Sequence, residues 1–263
     1  MTTTLLPVRF TPPWLDLDLP HGLYAATVWP AGAEDRPRWL AAGLEIELLN
    51  FTHKTQVQKW TQDWCGPASE ITDSKAIDRE DRPDPPVFTA STAVAWDQTQ
   101  CGDLSIEARS EAHARAAKIL ELNEQLIAEK DFATALLAAD GTPGTVADLV
   151  TAIGFLEAKL LATGTTGLIH ADAKLAAVAA EKNLLRADLD GTLRTPLGHR
   201  WVLGGGYVDT LGGTLVATTP VYGWQSTVVQ EDTVEHTGNR YYSMAERSVV
   251  LGYERLVASV TIT

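Results

Sequence analysis

The sharpest short motif in the chain is DLDGTL at 188–193, which sets two carboxylates, Asp188 and Asp190, two residues apart ahead of Gly191 and Thr192. Other residue types that could do chemistry are scattered. GGG at 204–206 follows a strand-like run, but it is not GxGxxG, and the VDTLGG after it does not open a helix. A tight turn, not a phosphate cradle, is the expectation there. The six histidines (His21, His53, His113, His170, His199 and His236) show no HExxH spacing. His170 with Asp172 could ligate a metal, and a strand-to-helix junction capped by Asp172 accounts for the same pair. Cys65 and Cys101 are too few for a disulfide framework or a zinc site, so reduced, partly buried thiols are expected. Lys54 and Lys59 could bridge or crosslink to a neighbouring chain, but solvated lysines are the plainer reading. There is no GxSxG elbow.

DLDGTL resembles the DxDGT signature of haloacid-dehalogenase-type phosphatases. That resemblance implies Asp188 as the nucleophile attacking phosphorus, Asp190 as general acid/base, and Mg2+ neutralising the phosphate. Such chemistry needs a buried apolar strand that delivers the first Asp to the end of a parallel sheet. The residues before Asp188, AAVAAEKNLLRA, read instead as a helix, and no paired-Asp motif follows Thr192. A helix end with a polar turn explains Asp188–Gly191 equally well. The residues therefore point to no catalytic set, no cofactor and no metal, and the chain reads as a non-enzyme.

The elements around these residues carry more information. Residues 1–43 hold Pro7, Pro12, Pro13, Pro20, Pro30 and Pro37, too many for a helix or central strand to run through. They also hold Phe10, Trp14, Leu15, Tyr24, Trp29 and Trp39, which a disordered linker would lack. Such an extended arm expects a surface to lie on, its own body or a neighbour. Residues 44–100 read as a long β-hairpin excursion: LEIELLNF and THKTQVQKW go out, VFTASTAVAW returns, and polar, Pro-rich 66–86 lies between. Residues 70–84 carry six acids and three bases, a solvated tip. Residues 103–139 contain no Gly or Pro and predict a helix of about 30 residues, roughly 45 Å long. Asp103 or Ser105 would cap it and Gly141 stop it. Ile106, Ile119, Leu122, Leu126, Ile127 and Phe132 predict its buried stripe, with Glu111, Arg115, Lys118, Glu121 and Glu124 facing water. Helices at about 145–163 (Thr145 with Asp148 as a capping box, Gly164 as the stop) and about 173–187 follow. From 192 onward short strands alternate with Gly and Asn turns. The order predicts an α+β fold.

Composition narrows the function classes. Lys and Arg number 21 against 34 Asp and Glu, a net charge of −13. No basic stripe is available to read nucleic acid. Apolar runs are broken by charges before the ~18–20 residues a membrane span needs. The N-terminus lacks the basic-then-apolar pattern of a secretory signal, so a soluble protein made inside the cell is expected.

In order and texture these elements resemble phage major capsid proteins of the HK97 fold and the related encapsulin shells. PPVFTASTAVAW running into CGDLSIEARSEAHARAAKILELNEQLIAEKDF is similar to an extended loop entering the family's spine helix. TVADLVTAIGFLEAKLLATGTTGLIHADAKLAAVAAEKN is similar to the axial domain. TPLGHRWVLGGGY, ATTPVYGWQSTVVQ and RYYSMAERSVVLGYERLVASVTI are similar to the closing strands. The resemblance implies an HK97-like α+β fold: an N-terminal arm at 1–43, an extended loop at 44–100, the spine helix and peripheral domain at 101–144, an axial domain at 145–235, and closing peripheral strands at 236–263. It also implies a structural subunit that self-assembles into hexamers and pentamers of an icosahedral head. The head would enclose DNA without reading its sequence, would work with a portal and with separate scaffolding or decoration proteins, and would touch no membrane. The expected location is the virion, after assembly in the bacterial host cytoplasm. An encapsulin-like compartment or another phage head protein is the alternative within this class.

Overall fold

The computed structural model describes residues 12–15, 19–30, 40, 42–50, 65–67, 69, 84–99 and 103–263. The outgoing segment 52–60, most of the 66–86 tip, His53, Lys54, Lys59 and Cys101 lie outside the described residues. The early elements are a short helix α1 (Leu23–Ala26), the strands β1 (Leu44–Glu45) and β2 (Val87–Phe88), and β3 (Ser91–Gln98). The predicted antiparallel return is present at the roots of the excursion, where Leu44 pairs Phe88 and Glu45 pairs Val87.

The uninterrupted run of good helix formers gives α2 (Ile106–Asp140), 35 residues and so about 50 Å long. Ser105 caps it by accepting the Ala108 N–H, and Gly141 ends it in the left-handed region at φ 70°. Of the predicted apolar stripe only Phe132 is buried and Leu122 half-buried, and the departure of the rest is instructive. The buried face is Ala112, Ala116, Leu120, Glu124, Ala128 and Phe132, while Ile106, Ile119, Leu126 and Ile127 are exposed. Small residues face inward because α2 lies close on the sheet: Ala116 and Leu120 meet Ala93, Ala95 and Ala245 in one cluster.

Next come β4 (Gly144–Val146) and α3 (Leu149–Leu161). The helix starts four residues later than predicted, because Asp148 alone caps it, accepting the Thr151 N–H, and Thr145 is spent in β4. After β5 (Leu168–His170), the predicted 173–187 helix is only a 3-10 turn, Ala173–Leu175, and α4 (Ala176–Glu181). Asn183 at φ 57° breaks it, and the chain turns into β6 (Arg186–Ala187). Then follow β7 (Leu193–Arg194), β8 (Arg200–Val202), a 3-10 turn Gly205–Tyr207, β9 (Thr214–Thr218), β10 (Val221–Gln225), β11 (Val229–Glu235), β12 (Arg240–Tyr253) and β13 (Leu256–Ile262).

The strands form two larger sheets. In one, β12 is antiparallel to β11 along its first half and to β10 along its second, with β3 on its other side. The other runs β4-β13-β9-β5-β8-β7-β6, parallel only at β4/β13 and β5/β8. Segregated helices on a mainly antiparallel framework make the architecture α+β, as the element order predicts. One apolar core joins α1, the C-terminal half of α2 and the facing strands through Leu23, Phe132, Leu136, Val202, Tyr207 and Val249. A second packs α3 on the opposite face of the seven-stranded sheet through Leu156, Leu160, Ile169, Trp201 and Leu215.

Candidate functional site

Among the described residues, the chemistry-bearing motifs serve turns, caps and packing. DLDGTL is the turn of the β6–β7 hairpin, not the end of a parallel strand. The Asp188 N–H donates to the Thr192 carbonyl, and Gly191 sits at φ 79°. Asp188 accepts from Arg194 Nε at 2.5 Å. Asp190 Oδ1 accepts the Thr192 N–H at 2.9 Å, which holds its carboxyl below the ordinary aspartate range. The polar-turn explanation holds, though on a hairpin rather than a helix end, and nothing in the geometry supports phosphatase chemistry.

The GGG run has a steric reason. A Cβ on Gly204 would lie 2.6 Å from the Glu129 carboxyl carbon, one on Gly205 would lie 2.7 Å from Leu126, and one on Gly206 would overlap the Leu126 carbonyl. Here α2 presses directly on bare backbone, so the glycines seat a helix and not a phosphate.

Asp172 caps the turn after β5 as predicted, accepting the Lys174 N–H at 2.8 Å. His170 is fully buried. Its Nδ1 meets the Tyr207 hydroxyl at 2.9 Å and its Nε2 the Thr218 hydroxyl at 2.8 Å, beside the Phe132 ring. Burial pushes its pKa down to about 3 from 6.5. His199 is also buried and titrates below the ordinary range for the same reason, with Nδ1 accepting the Gly167 N–H. A histidine that is neutral when folded and protonated when unfolded contributes stability that is complete above pH 6.5 and lost as pH falls toward 3. For His170 alone the loss is about 2 kcal/mol at pH 5 relative to pH 7.5. Urea melts at the two pH values measure it, and His170→Gln should flatten the dependence.

Among the described residues no three His, Cys, Asp or Glu side chains converge as a metal set, and no helix is long and apolar enough to cross a membrane.

Three buried glutamates, none of them apparent in the sequence, do the positioning. Glu129 on α2 accepts the Leu23 and Gly206 N–H groups, each at 2.8 Å, and the Gln125 amide at 2.9 Å. Glu124, assigned to the solvated face by its spacing, is buried. It accepts the Tyr24 hydroxyl at 2.8 Å and Arg247 Nε at 2.6 Å, tying the arm to α2 and β12. Glu254, between β12 and β13, accepts the Leu49 N–H, the Asn50 N–H and the Asn50 side-chain amide. Glu254 thereby fixes where the long excursion leaves the body. Glu254→Ala should cost about 1–3 kcal/mol and speed hydrogen exchange at Leu49 and Asn50 while β12 stays protected.

What remains unpartnered is apolar surface. β3 turns Ala93 and Ala95 inward and Val94 and Trp96 outward, Trp96 being 68% exposed. Ile119 and Ile127 of α2 line a groove with these two residues. Trp14, Leu15, Ile106 and Leu189 are likewise exposed.

No family model matches the chain, and no curated protein matches it in sequence. Solved structures do match it in three dimensions. The asymmetric unit of the bacteriophage PhiM1 mature capsid is 11% identical, with a TM-score of 0.52, over 100% of this chain and 92% of that one. The capsid of an empty GTA particle is 10% identical, with a TM-score of 0.52, over 98% of this chain and 94% of that one. Both matches cover nearly all of this chain, and the protein has the HK97-like fold of phage-type capsid subunits.

Proposed function

We propose that this chain is a shell-forming structural protein, the major capsid subunit of an icosahedral phage head. The observation that carries this reading is the match in fold over nearly the full length of two capsid chains. The outward-facing Trp96 and Ile106 support it, since a monomer gains nothing by exposing them. In this reading hexamers and pentamers close into a shell that encloses DNA without reading its sequence, inside a bacterial host. A portal completes the head, and any scaffolding or decoration comes from separate proteins. Residues 145–235 build the capsomer faces, 101–144 and 236–263 the peripheral framework, and 1–43 reach along capsomer edges. Of residues 44–100, the part beyond the roots that pack on this chain's own body lies over an adjacent subunit. The role is structural, not catalytic.

Negative-stain electron microscopy of the recombinant protein, with its size-exclusion profile, tests this. Closed shells, rings or tubes are the expected result. A monodisperse 28.4 kDa species at every concentration and salt tried, and also when the chain is co-expressed with its scaffolding protein, would overturn it. Co-purification of a foreign enzyme cargo inside the shells would instead favour an encapsulin-like compartment. Asp190→Asn should leave assembly unchanged.

A further inference from the structure

The hairpin that carries DLDGTL also builds a surface that is visible only once strand register is known. Arg186 of β6 lies directly opposite Arg194 of β7, and Arg194 lies directly opposite Arg200 of β8. Directly opposed residues point to the same face, so the three guanidinium groups form one ladder across three adjacent strands. The row continues inward to Leu168 of β5 and Thr218 of β9, both buried. The ladder is therefore where that face of the seven-stranded sheet runs out into solvent: Arg200 and Arg194 are half-buried and Arg186 is exposed. Asp188 pairs with Arg194 and the nearby Asp190 carboxylate acts on both Arg194 and Arg200, while among the described residues neither Arg186 nor Arg200 makes an ion pair of its own. Like charges directly opposed destabilise a sheet. Two exposed leucines flank the ladder, Leu189 on the β6–β7 turn and Leu197 on the β7–β8 turn.

The outer face of the four-stranded sheet has the opposite character. Its cross-strand rows are Val94–Glu246–Val229 and Trp96–Met244–Glu231. Neither Glu231 nor Glu246 is in an ion pair among the described residues. Here carboxylates are interleaved with exposed Trp96, Val94 and Val229. Copies of a chain with net charge −13 repel one another. A specific contact between them therefore needs a basic patch set against an acidic one.

We propose that the Arg186–Arg194–Arg200 ladder, with Leu189 and Leu197, docks on the Trp96/Glu231/Glu246 face of a second copy of this chain. The proposal rests on the shell-forming reading and names two of the surfaces that would join subunits. The patches differ, so the contact is head-to-tail, the kind that closes rings. Guanidinium groups meet both carboxylates and an indole ring, a pairing that desolvates well.

Arg186→Glu and Glu231→Arg, separately and together, test it. Both side chains are exposed, so the melting temperature should stay close to that of the native chain. Assembled material is read by sedimentation velocity and electron microscopy. Each single variant should lower the assembled fraction about tenfold at moderate salt, and the double variant should restore it. Single variants that assemble like the native chain would overturn the proposal and leave the shell reading standing. A loss in Arg186→Glu that Glu231→Arg does not rescue, together with less co-purifying nucleic acid, would assign the ladder to phosphate and overturn it too. A native chain that never assembles would overturn both readings.

Discussion

Replacing Glu129 by leucine should lower the stability of the folded chain by about 3–5 kcal/mol, although no charge partner is lost. The carboxylate is fully buried and held by donors alone: two backbone N–H groups and one side-chain amide. Leucine fills nearly the same volume, so the cost does not come from a cavity. It comes from Leu23, Gly206 and Gln125, which are left as buried donors without acceptors. Since Leu23 opens α1 and Gly206 sits in the turn after β8, the same change unties the N-terminal segment and the seven-stranded sheet from α2. Glu129→Gln keeps one acceptor oxygen and should lose about half as much. Urea denaturation gives the totals, and amide exchange at Leu23 and Gly206 shows whether those two groups are the ones released. A loss below about 1 kcal/mol in the leucine variant would mean that water or rearranged backbone replaces the carboxylate.

Glu129 also shows where the sequence stops being legible. Long α2 was readable because thirty-odd residues without Gly or Pro leave the backbone little else to do. The direction it faces was not readable. Isoleucine and leucine outrank alanine in any apolar pattern, yet Ala112 and Ala116 are buried while Ile106 and Ile119 face solvent. Close approach to β3 and β12 selects small side chains, and the large ones are left at the surface. The buried glutamates were invisible because their partners are remote: Leu23 is 106 positions from Glu129, and Tyr24 is 100 from Glu124. A helical Glu reads as solvated until the backbone that satisfies it is known. Local signals fared better where both partners were local. Asp172 caps the next three residues, and Asp188 and Asp190 serve their own turn. The HK97-like fold was legible because a long helix and then late strands follow one another in the chain. The arginine ladder was not, since Arg186, Arg194 and Arg200 become neighbours only through pairing.

Deleting residues 66–86 should leave a folded protein that no longer forms closed shells. The fold is expected to survive because, among the described residues, the contacts that root the excursion lie outside the deleted segment, apart from the Pro86 carbonyl that accepts the Ile46 N–H. Leu44 and Glu45 pair with Phe88 and Val87. The Phe88 ring packs edge-on against Tyr253 at 4.9 Å, in space that Gly252 leaves open. Glu254 holds Leu49 and Asn50. A shorter connection between these roots changes closure entropy by less than about 1 kcal/mol. The segment itself is polar, with six acids and three bases in 70–84, so it offers little to a core of its own. If it works by lying over a neighbour, its loss removes contacts between subunits and spares those within one. The variant should then melt within a few degrees of the native chain while shells give way to free subunits or open fragments in electron micrographs. Shells of normal size and yield would overturn the assignment of this loop, whereas a large fall in melting temperature would mean that the segment supports its own subunit. Combined with Glu129→Leu, the pair of variants separates the two kinds of work the chain does: one loses stability with its assembly surfaces intact, the other loses assembly with its stability intact.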